Sequence, residues 1–239
     1  MDYQKYIIII PTYNEKSNIK KLIPILKKYN LHVLVVDDNS PDNTAVEVKH
    51  LITKFDHIYL LERSSKQGLG SAYREGFKFA LDKGYEYLIQ MDADFSHTVK
   101  DLISMIKQSN EFDLVIGSRY IKGGETIGWN KSRKLLSKTA NLYSRFLCGY
   151  KIYDSTSGFR IYSSKALISN NYQKTKSDGY GFQIEMTFRS FVKDLKIIEV
   201  PINFHERREG KSKMSRKIVF EAIFLVIRLR LSKNRLATT

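Results

Sequence analysis

Tyr87-Leu-Ile-Gln-Met-Asp92-Ala-Asp94-Phe-Ser-His97 runs from an apolar, strand-like stretch directly into two carboxylates separated by one residue. Alternate residues of an extended segment face the same way, so both carboxylates can converge once the strand ends. Two hard anionic oxygens at a strand's C-terminal end suit magnesium or manganese held partly by substrate phosphates. Open α/β sheets bind their ligands at that end. The competing reading is a helix cap, with Asp94 or Ser96 starting the helix that follows.

Working outward, the first half of the chain alternates short β-branched runs with helical patterns, which predicts βαβ units and a largely parallel sheet. Strands are expected at 6–10, 32–36, 58–61, 87–91 and 114–117. Ile19, Leu22, Ile23 and Leu26 fall at helical spacing, with Pro24 inside the helix they define. Further helices are expected at 43–53, 71–83 and 99–108, the first capped by Asp42, Asn43 or Ser40. After residue 119 the rhythm changes. A glycine loop at 122–124 precedes a basic amphipathic helix at 131–147. Extended segments are expected at 155–162 and 195–204, and helices at 181–193 and 215–231. This predicts one domain over 1–214 and a terminal helix over 215–239.

With 239 residues, 42% of them hydrophobic, the chain can bury a sizeable core and is not a disordered composition. Its one cysteine, Cys148, excludes an intrachain disulfide. The first apolar run is too short for a signal peptide, and no stretch reaches the roughly 18 apolar residues of a spanning helix. The net charge of +15 is uneven. Residues 1–118 carry 15 basic and 16 acidic side chains, residues 119–151 carry 8 and 1, and residues 201–239 carry 10 and 3. Each of the last two segments therefore holds +7. That points to a large anionic partner met from one side: a membrane surface, a nucleic acid or a phosphorylated substrate. The apolar run 218–227 contains one charge, Glu221, and suits either a membrane interface or packing against protein.

Three more constellations fall at predicted strand ends. Pro11-Thr-Tyr13-Asn-Glu15 offers a ring for a nucleobase or ribose and a carboxylate for amino or hydroxyl groups. Asp37-Asp38-Asn-Ser-Pro-Asp42 supplies another carboxylate pair. Gly68-Leu-Gly70 would let backbone approach a ligand closely. Turn and cap chemistry accounts for Pro, Asn, Asp and Ser at the first two equally well. Together the loops predict a nucleotide-and-metal crevice on one sheet edge.

In chain order these motifs continue with Gly117-Ser-Arg-Tyr120, Ser157-Gly-Phe-Arg160, Gly179-Tyr-Gly-Phe-Gln-Ile-Glu185 and Arg207-Arg-Glu-Gly-Lys-Ser-Lys213. Over residues 6–213 the set resembles the dolichol-phosphate mannosyltransferases of glycosyltransferase family two, with their GT-A fold. The resemblance implies that Pro11, Tyr13, Glu15, Val36 and Asp38 bind the donor nucleoside. Asp92 and Asp94 would hold a divalent metal, Mg2+ or Mn2+, with Ala93 beside them. Ser96 stands where some relatives place a metal-binding Gln, and its neutral hydroxyl is a weaker ligand. Arg207 and Lys213 would belong to a loop that closes over the donor, and Arg119, Arg133 and Ser137 would hold the acceptor phosphate. The forked donors of arginine fit that last duty.

The implied reaction is inverting transfer of mannose from GDP-mannose to dolichyl (polyprenyl) phosphate, giving the β-mannosyl phosphate used in protein glycosylation and GPI-type pathways. Asp92, Asp94 and Arg119 would be the catalytic set. A phosphate nucleophile is largely dianionic at neutral pH and needs no dedicated base. Glu185, in Gln183-Ile-Glu185 where other family-two enzymes often have Glu-Asp, is read as structural or sugar-contacting. His97 and His205 are read as supporting or surface groups rather than metal ligands. Expected partners are the donor, the lipid phosphate and a membrane surface, reached alone or through small membrane-spanning subunits. The expected location is the cytosolic face of the endoplasmic reticulum in a eukaryote or of the cell membrane in a prokaryote. The alternative is the same fold using UDP-glucose or another nucleotide sugar with the polyprenyl-phosphate acceptor. A nucleic-acid-binding module is the remote alternative, disfavoured because no such motif is present and the carboxylate-lined strand ends would go unused.

Overall fold

The structure, a computed structural model, describes residues 3–206 and 216–238. Arg207 and Lys213 lie outside the described residues. In chain order the elements are β1 (Tyr6–Thr12), α1 (Lys16–Lys27), β2 (His32–Asp37), α2 (Thr44–Ile52), β3 (Ile58–Glu62), α3 (Leu69–Asp82), β4 (Tyr87–Gln90), α4 (Val99–Ile106) and β5 (Leu114–Ser118). They continue with β6 (Glu125–Ile127), α5 (Lys131–Cys148), β7 (Arg160–Ser163), α6 (Ser164–Ser169), α7 (Gly179–Val192), β8 (Ile197–Pro201), β9 (Asn203–His205), α8 (Arg216–Leu231) and α9 (Lys233–Thr238).

Seven strands form the main sheet in the order β3-β2-β1-β4-β7-β5-β8. The β1–β2, β2–β3, β1–β4 and β5–β8 pairs are parallel, and β7 runs antiparallel to both of its neighbours. The strand order reverses between β1 and β4, so a crevice opens beyond their carboxyl ends, where such folds bind ligands. Strands buried on both faces read as continuous apolar runs, and Ile7 to Ile10 and Val33 to Val36 are wholly buried. One face is covered by α1, α2 and α4. Ile19, Leu22, Ile23 and Leu26 pack there as their spacing predicts, and Pro24 is accommodated inside α1. The other face carries α3, α6 and α7 through Tyr73, Phe77, Leu167, Phe182 and Met186.

The expected strands and helices of the first half form with boundaries shifted by a residue or two. The second half differs more. Of the extended stretch at 155–162 only residues 160–162 are strand, the start of β7, because residues 154–159 turn to wrap buried polar groups. The terminal helix α8 is not free. Leu225, Val226 and Leu229 are buried against Ile184, Phe188 and Cys148 of α7 and α5, and the Tyr143 hydroxyl donates to the Ile223 carbonyl at 3.2 Å. No helix of the described residues is long and apolar enough to cross a membrane.

Candidate active site

Beyond the carboxyl ends of β1 and β4 lies a cavity of about 1010 Å³ that brings together most of the residues singled out by sequence. Its lining follows the strand order: Asp38 after β2, Pro11, Tyr13 and Glu15 at the end of β1, Asp92, Ala93 and Asp94 after β4, and Arg119 after β5, with Arg133 of α5 on the same Trp129 ring. Val36 and Ser137 do not line it. Val36 is a core residue of β2, and Ser137 lies one turn beyond Arg133 on α5, near the Tyr120 hydroxyl.

The Asp92–His97 loop does not serve as the cap of α4. The side chain that caps α4 is Thr98, which accepts from the Asp101 amide at 3.1 Å, so Asp94 and Ser96 are not the cap. Asp94 Oδ1 instead accepts from the Ser96 amide at 3.0 Å. Phe95 between them holds φ 61°, a costly left-handed conformation for a bulky residue and of the kind that clusters at functional loops. His97 is buried, stacks on Phe159 with centroids 4.3 Å apart, and accepts from the Asp92 amide through Nδ1 at 3.3 Å. It therefore orients the loop from behind.

The donor set here fits a hard divalent cation. Among the described residues no three His, Cys, Asp or Glu side chains converge, so the chain offers two carboxylates. Magnesium-type ions are commonly held by one or two carboxylates plus substrate phosphates. The Ser96 hydroxyl is buried without a hydrogen-bond partner two residues beyond Asp94, but Ser96 does not line the cavity.

The two carboxylates after β2 have separate duties. Asp37 is structural, accepting from the Thr12 hydroxyl at 2.7 Å and from the Ser40 hydroxyl and amide at 2.6 and 2.9 Å. Asp38 faces the cavity and pairs with Arg63 at 2.6 Å. Burial raises the Asp38 pKa, and Arg63 offsets that only in part. Lys66 places its ammonium 4.0 Å from the centre of the Tyr13 ring, so the aromatic face at this end is already met by a cation.

Gly68 and Leu69 line the cavity, and Gly68 and Gly70 also answer to a contact inside the protein. A Cβ at Gly68 would collide with the Asp178 carboxylate, and one at Gly70 would fall 2.7 Å from the Ser177 carbonyl. The close approach they permit is by residues 177–178, with the Gly70 amide donating to Asp178. Glu185 anchors the same strap. Its Oε2 accepts from the Lys176 and Ser177 amides and the Ser177 hydroxyl, and its Oε1 from Arg189 at 2.9 and 3.1 Å. Both of its oxygens are thus engaged in structure.

At the basic end, Arg119 forms a buried two-pronged pair with Asp154, Nε to Oδ2 at 2.7 Å and Nη2 to Oδ1 at 2.6 Å, and Nη2 also donates to Thr156. Burial would raise the Asp154 carboxyl, but the charge and hydrogen bonds of Arg119 outweigh it and hold the pKa below the ordinary value. Arg133 lies 3.9 Å above the Trp129 ring and reaches Glu206 at 3.3 Å. Phe224, Leu225 and Arg228 of α8 also border the cavity. Asp154, Lys66, Asp178 and Trp129 were not singled out from sequence, and Gln183 appeared only inside a quoted motif with no role. Asp154 carried a faint signal in standing three residues before the Ser157-Gly-Phe-Arg160 motif, whereas Asp178 acts across 108 residues and carried none.

Comparison with known proteins agrees with this geometry. The model of glycosyl transferase family 2 matches residues 7–169. A polyprenol monophosphomannose synthase of Mycolicibacterium smegmatis is 42% identical over 97% of this chain and 91% of its own. An undecaprenyl-phosphate mannosyltransferase of Micrococcus luteus is 41% identical over 94% of this chain and 93% of its own. Among solved structures, a mannosyltransferase of Pyrobaculum calidifontis in complex with GDP-Man and Mn2+ superposes with a TM-score of 0.58 at 15% identity, covering 98% of this chain and 75% of that one. GalNAc-T7 with UDP, GalNAc and Mn2+ gives 0.59 at 13% identity, over 93% and 47%. At such identities these structures speak to the fold, a GT-A-like sheet with its helices. The chain belongs to glycosyl transferase family 2 and is a glycosyltransferase.

Proposed function

We propose that the chain transfers mannose from GDP-mannose to a polyprenyl (dolichyl) phosphate, with inversion, yielding the β-mannosyl phosphate. The names of the two relatives support mannosyl transfer to a polyprenyl phosphate. The observation that carries the reading is the cavity's polarity. Along the strand order, Asp38 follows β2, Tyr13 and Glu15 follow β1, Asp92 and Asp94 follow β4 and Arg119 follows β5, with Arg133 sharing the Trp129 ring with Arg119, while Phe224, Leu225 and Arg228 of α8 border the same cavity. A nucleoside, a diphosphate and a lipid-borne phosphate match that order.

Asp92 and Asp94 would hold Mg2+ or Mn2+, and the bound ion would neutralise the departing diphosphate. Arg119 and Arg133 position the acceptor phosphate. Asp154 occupies Arg119 Nε and Nη2 and so fixes the direction of the remaining Nη1. A phosphate oxygen attacks C1 of the mannose, the bond from C1 to the diphosphate breaks, and GDP leaves. No proton has to be removed, since a phosphate monoester is largely dianionic at neutral pH. The consumption of both Glu185 oxygens in structural bonds accords with a site that needs no base.

The membrane would be met by the outer faces of α5 and α8. Leu135, Leu142 and Phe146 form a stripe on α5, and Phe224, Ile227 and Leu231 stand exposed on α8, with Phe146 82% and Phe224 70% accessible. Lys134, Lys138, Arg145 and Arg230 flank these side chains, as an anionic lipid surface requires. To test the function, the purified chain is incubated with polyprenyl phosphate, Mg2+ or Mn2+, and labelled GDP-mannose or UDP-glucose. Lipid-phase label from GDP-mannose is expected, and label from UDP-glucose alone would overturn the donor assignment.

A further inference from the structure

Ser157-Gly-Phe-Arg160 and Gly179-Tyr-Gly-Phe-Gln183 meet beneath the cavity in an arrangement that the reaction as described leaves unused. Arg160 is fully buried, and among the described residues it makes no ion pair. Its guanidinium holds backbone instead: Nε donates to the Ser157 carbonyl at 2.7 Å, Nη2 to the Ser155 carbonyl at 2.7 Å, and Nη1 to the Gln183 carbonyl at 3.1 Å. The loop carrying Thr156 and Gly158 is thereby locked to the turn of α7 that carries Gln183.

The Gln183 side chain is 1% exposed, and neither its amide nitrogen nor its amide oxygen has a hydrogen-bond partner. Leaving both ends of a buried amide unsatisfied is unfavourable and calls for a partner that arrives later. Gln90 and Tyr73 also hold unpartnered buried polar atoms, but neither lines the cavity, whereas Gln183 does. Beside it, Gly158 has no positive φ that would require a glycine, and a Cβ there would stand 3.9 Å from Gln183 Nε2. The missing side chain keeps space open next to the amide. In the sheet, β7, which this loop leads into, lies between β4, followed by Asp92 and Asp94, and β5, followed by Arg119, and all three side chains line the same cavity. A sugar in transit from diphosphate to phosphate has to lie between those groups.

We propose that the Gln183 amide binds two adjacent hydroxyls of the donor hexose, Nε2 donating to one and Oε1 accepting from its neighbour, and so selects the sugar. An amide presents one donor edge and one acceptor edge in a plane, the complement of a vicinal diol. The inference rests on the mannosyl transfer proposed above. It is tested on the full chain with GDP-mannose and its four singly deoxygenated forms at C2, C3, C4 and C6, in wild type, Gln183→Leu and Gln183→Met. Wild type is expected to lose roughly 10- to 100-fold in kcat/KM for deoxygenation at two adjacent carbons. Both variants should lose a similar factor with GDP-mannose itself and show no further penalty at those two carbons. Their thermal midpoints should equal or exceed that of wild type, because an unpartnered amide has been replaced by apolar groups. Equal discrimination ratios in wild type and both variants would overturn the inference alone. A wild-type chain that transfers nothing from GDP-mannose would overturn the function reading, and this inference with it.

Discussion

Asp154→Asn isolates the buried pair that fixes the basic end of the cavity. In the Arg119–Asp154 pair the side chains are 4% and 0% exposed, so solvent screens their attraction little. Removing one charge leaves the guanidinium desolvated and unbalanced, which costs about 3–5 kcal/mol. An exposed pair such as Lys5–Glu86, at 47% and 52%, contributes about 1 kcal/mol or less. For a domain of this length each kcal/mol moves Tm by roughly 2–4 °C, so Asp154→Asn should lower it by roughly 6–20 °C. Glu86→Gln should move it by no more than about 4 °C. The pH dependence has a fixed sign. The Asp154 pKa is lowered by folding, so its contribution is complete above the unfolded carboxyl value of about 3.9 and is lost as pH falls through the folded value. The gap between wild type and variant should therefore narrow in acid. Thermal unfolding followed by circular dichroism at several pH values, with acceptor titrations alongside, reads both effects. KM for polyprenyl phosphate should rise more than KM for the donor. A Tm within 2 °C of wild type with both KM values unchanged would refute the reasoning.

Asp94→Asn should reduce transfer by at least about 1,000-fold while Tm stays within a few degrees, if Asp94 serves the diphosphate rather than the fold; a large drop in Tm measured on the same sample would contradict that role. The acceptor phosphate should give kcat/KM an acidic limb near pH ~6 and then a plateau, with no second ionisation from a catalytic base. Glu185→Gln should leave that profile's shape unchanged while lowering stability through the Arg189 and Ser177 contacts. A new or displaced limb in the variant's profile would make Glu185 a base after all. Phe146→Asp combined with Phe224→Asp should abolish flotation with anionic vesicles while leaving the secondary structure intact, and unchanged flotation would remove the lipid-facing role of α5 and α8.

Periodicity made the sheet readable. Continuous apolar runs such as Ile7 to Ile10 carry their own burial, and helices such as α1 declare their inward face through Ile19, Leu22, Ile23 and Leu26. The carboxylates at strand ends were legible for the same reason, since a strand's end fixes where the next few side chains go. What escaped was chemistry assembled across distant segments. Gly68 and Gly70 read as a close-approach segment, but their contact with Ser177 and Asp178 was hidden, since no local pattern announces a partner more than 100 residues away. Arg119 was legible as a cation, but its engagement by Asp154 depends on how residues 149–159 return under β5. The terminal helix α8 shows a related ambiguity. An apolar stretch can face lipid or protein, and this one buries Leu225, Val226 and Leu229 while leaving Phe224 and Ile227 outside.

The central claim is that this site hands mannose to a phosphate oxygen of a lipid. The most direct measurement offers labelled GDP-mannose and Mg2+ or Mn2+ to the full chain with either polyprenyl phosphate or the matching polyprenol, and follows label into the organic phase. The account predicts transfer to the phosphate, in the β configuration, with none to the alcohol. Equal transfer to the alcohol, or transfer to neither, would contradict it.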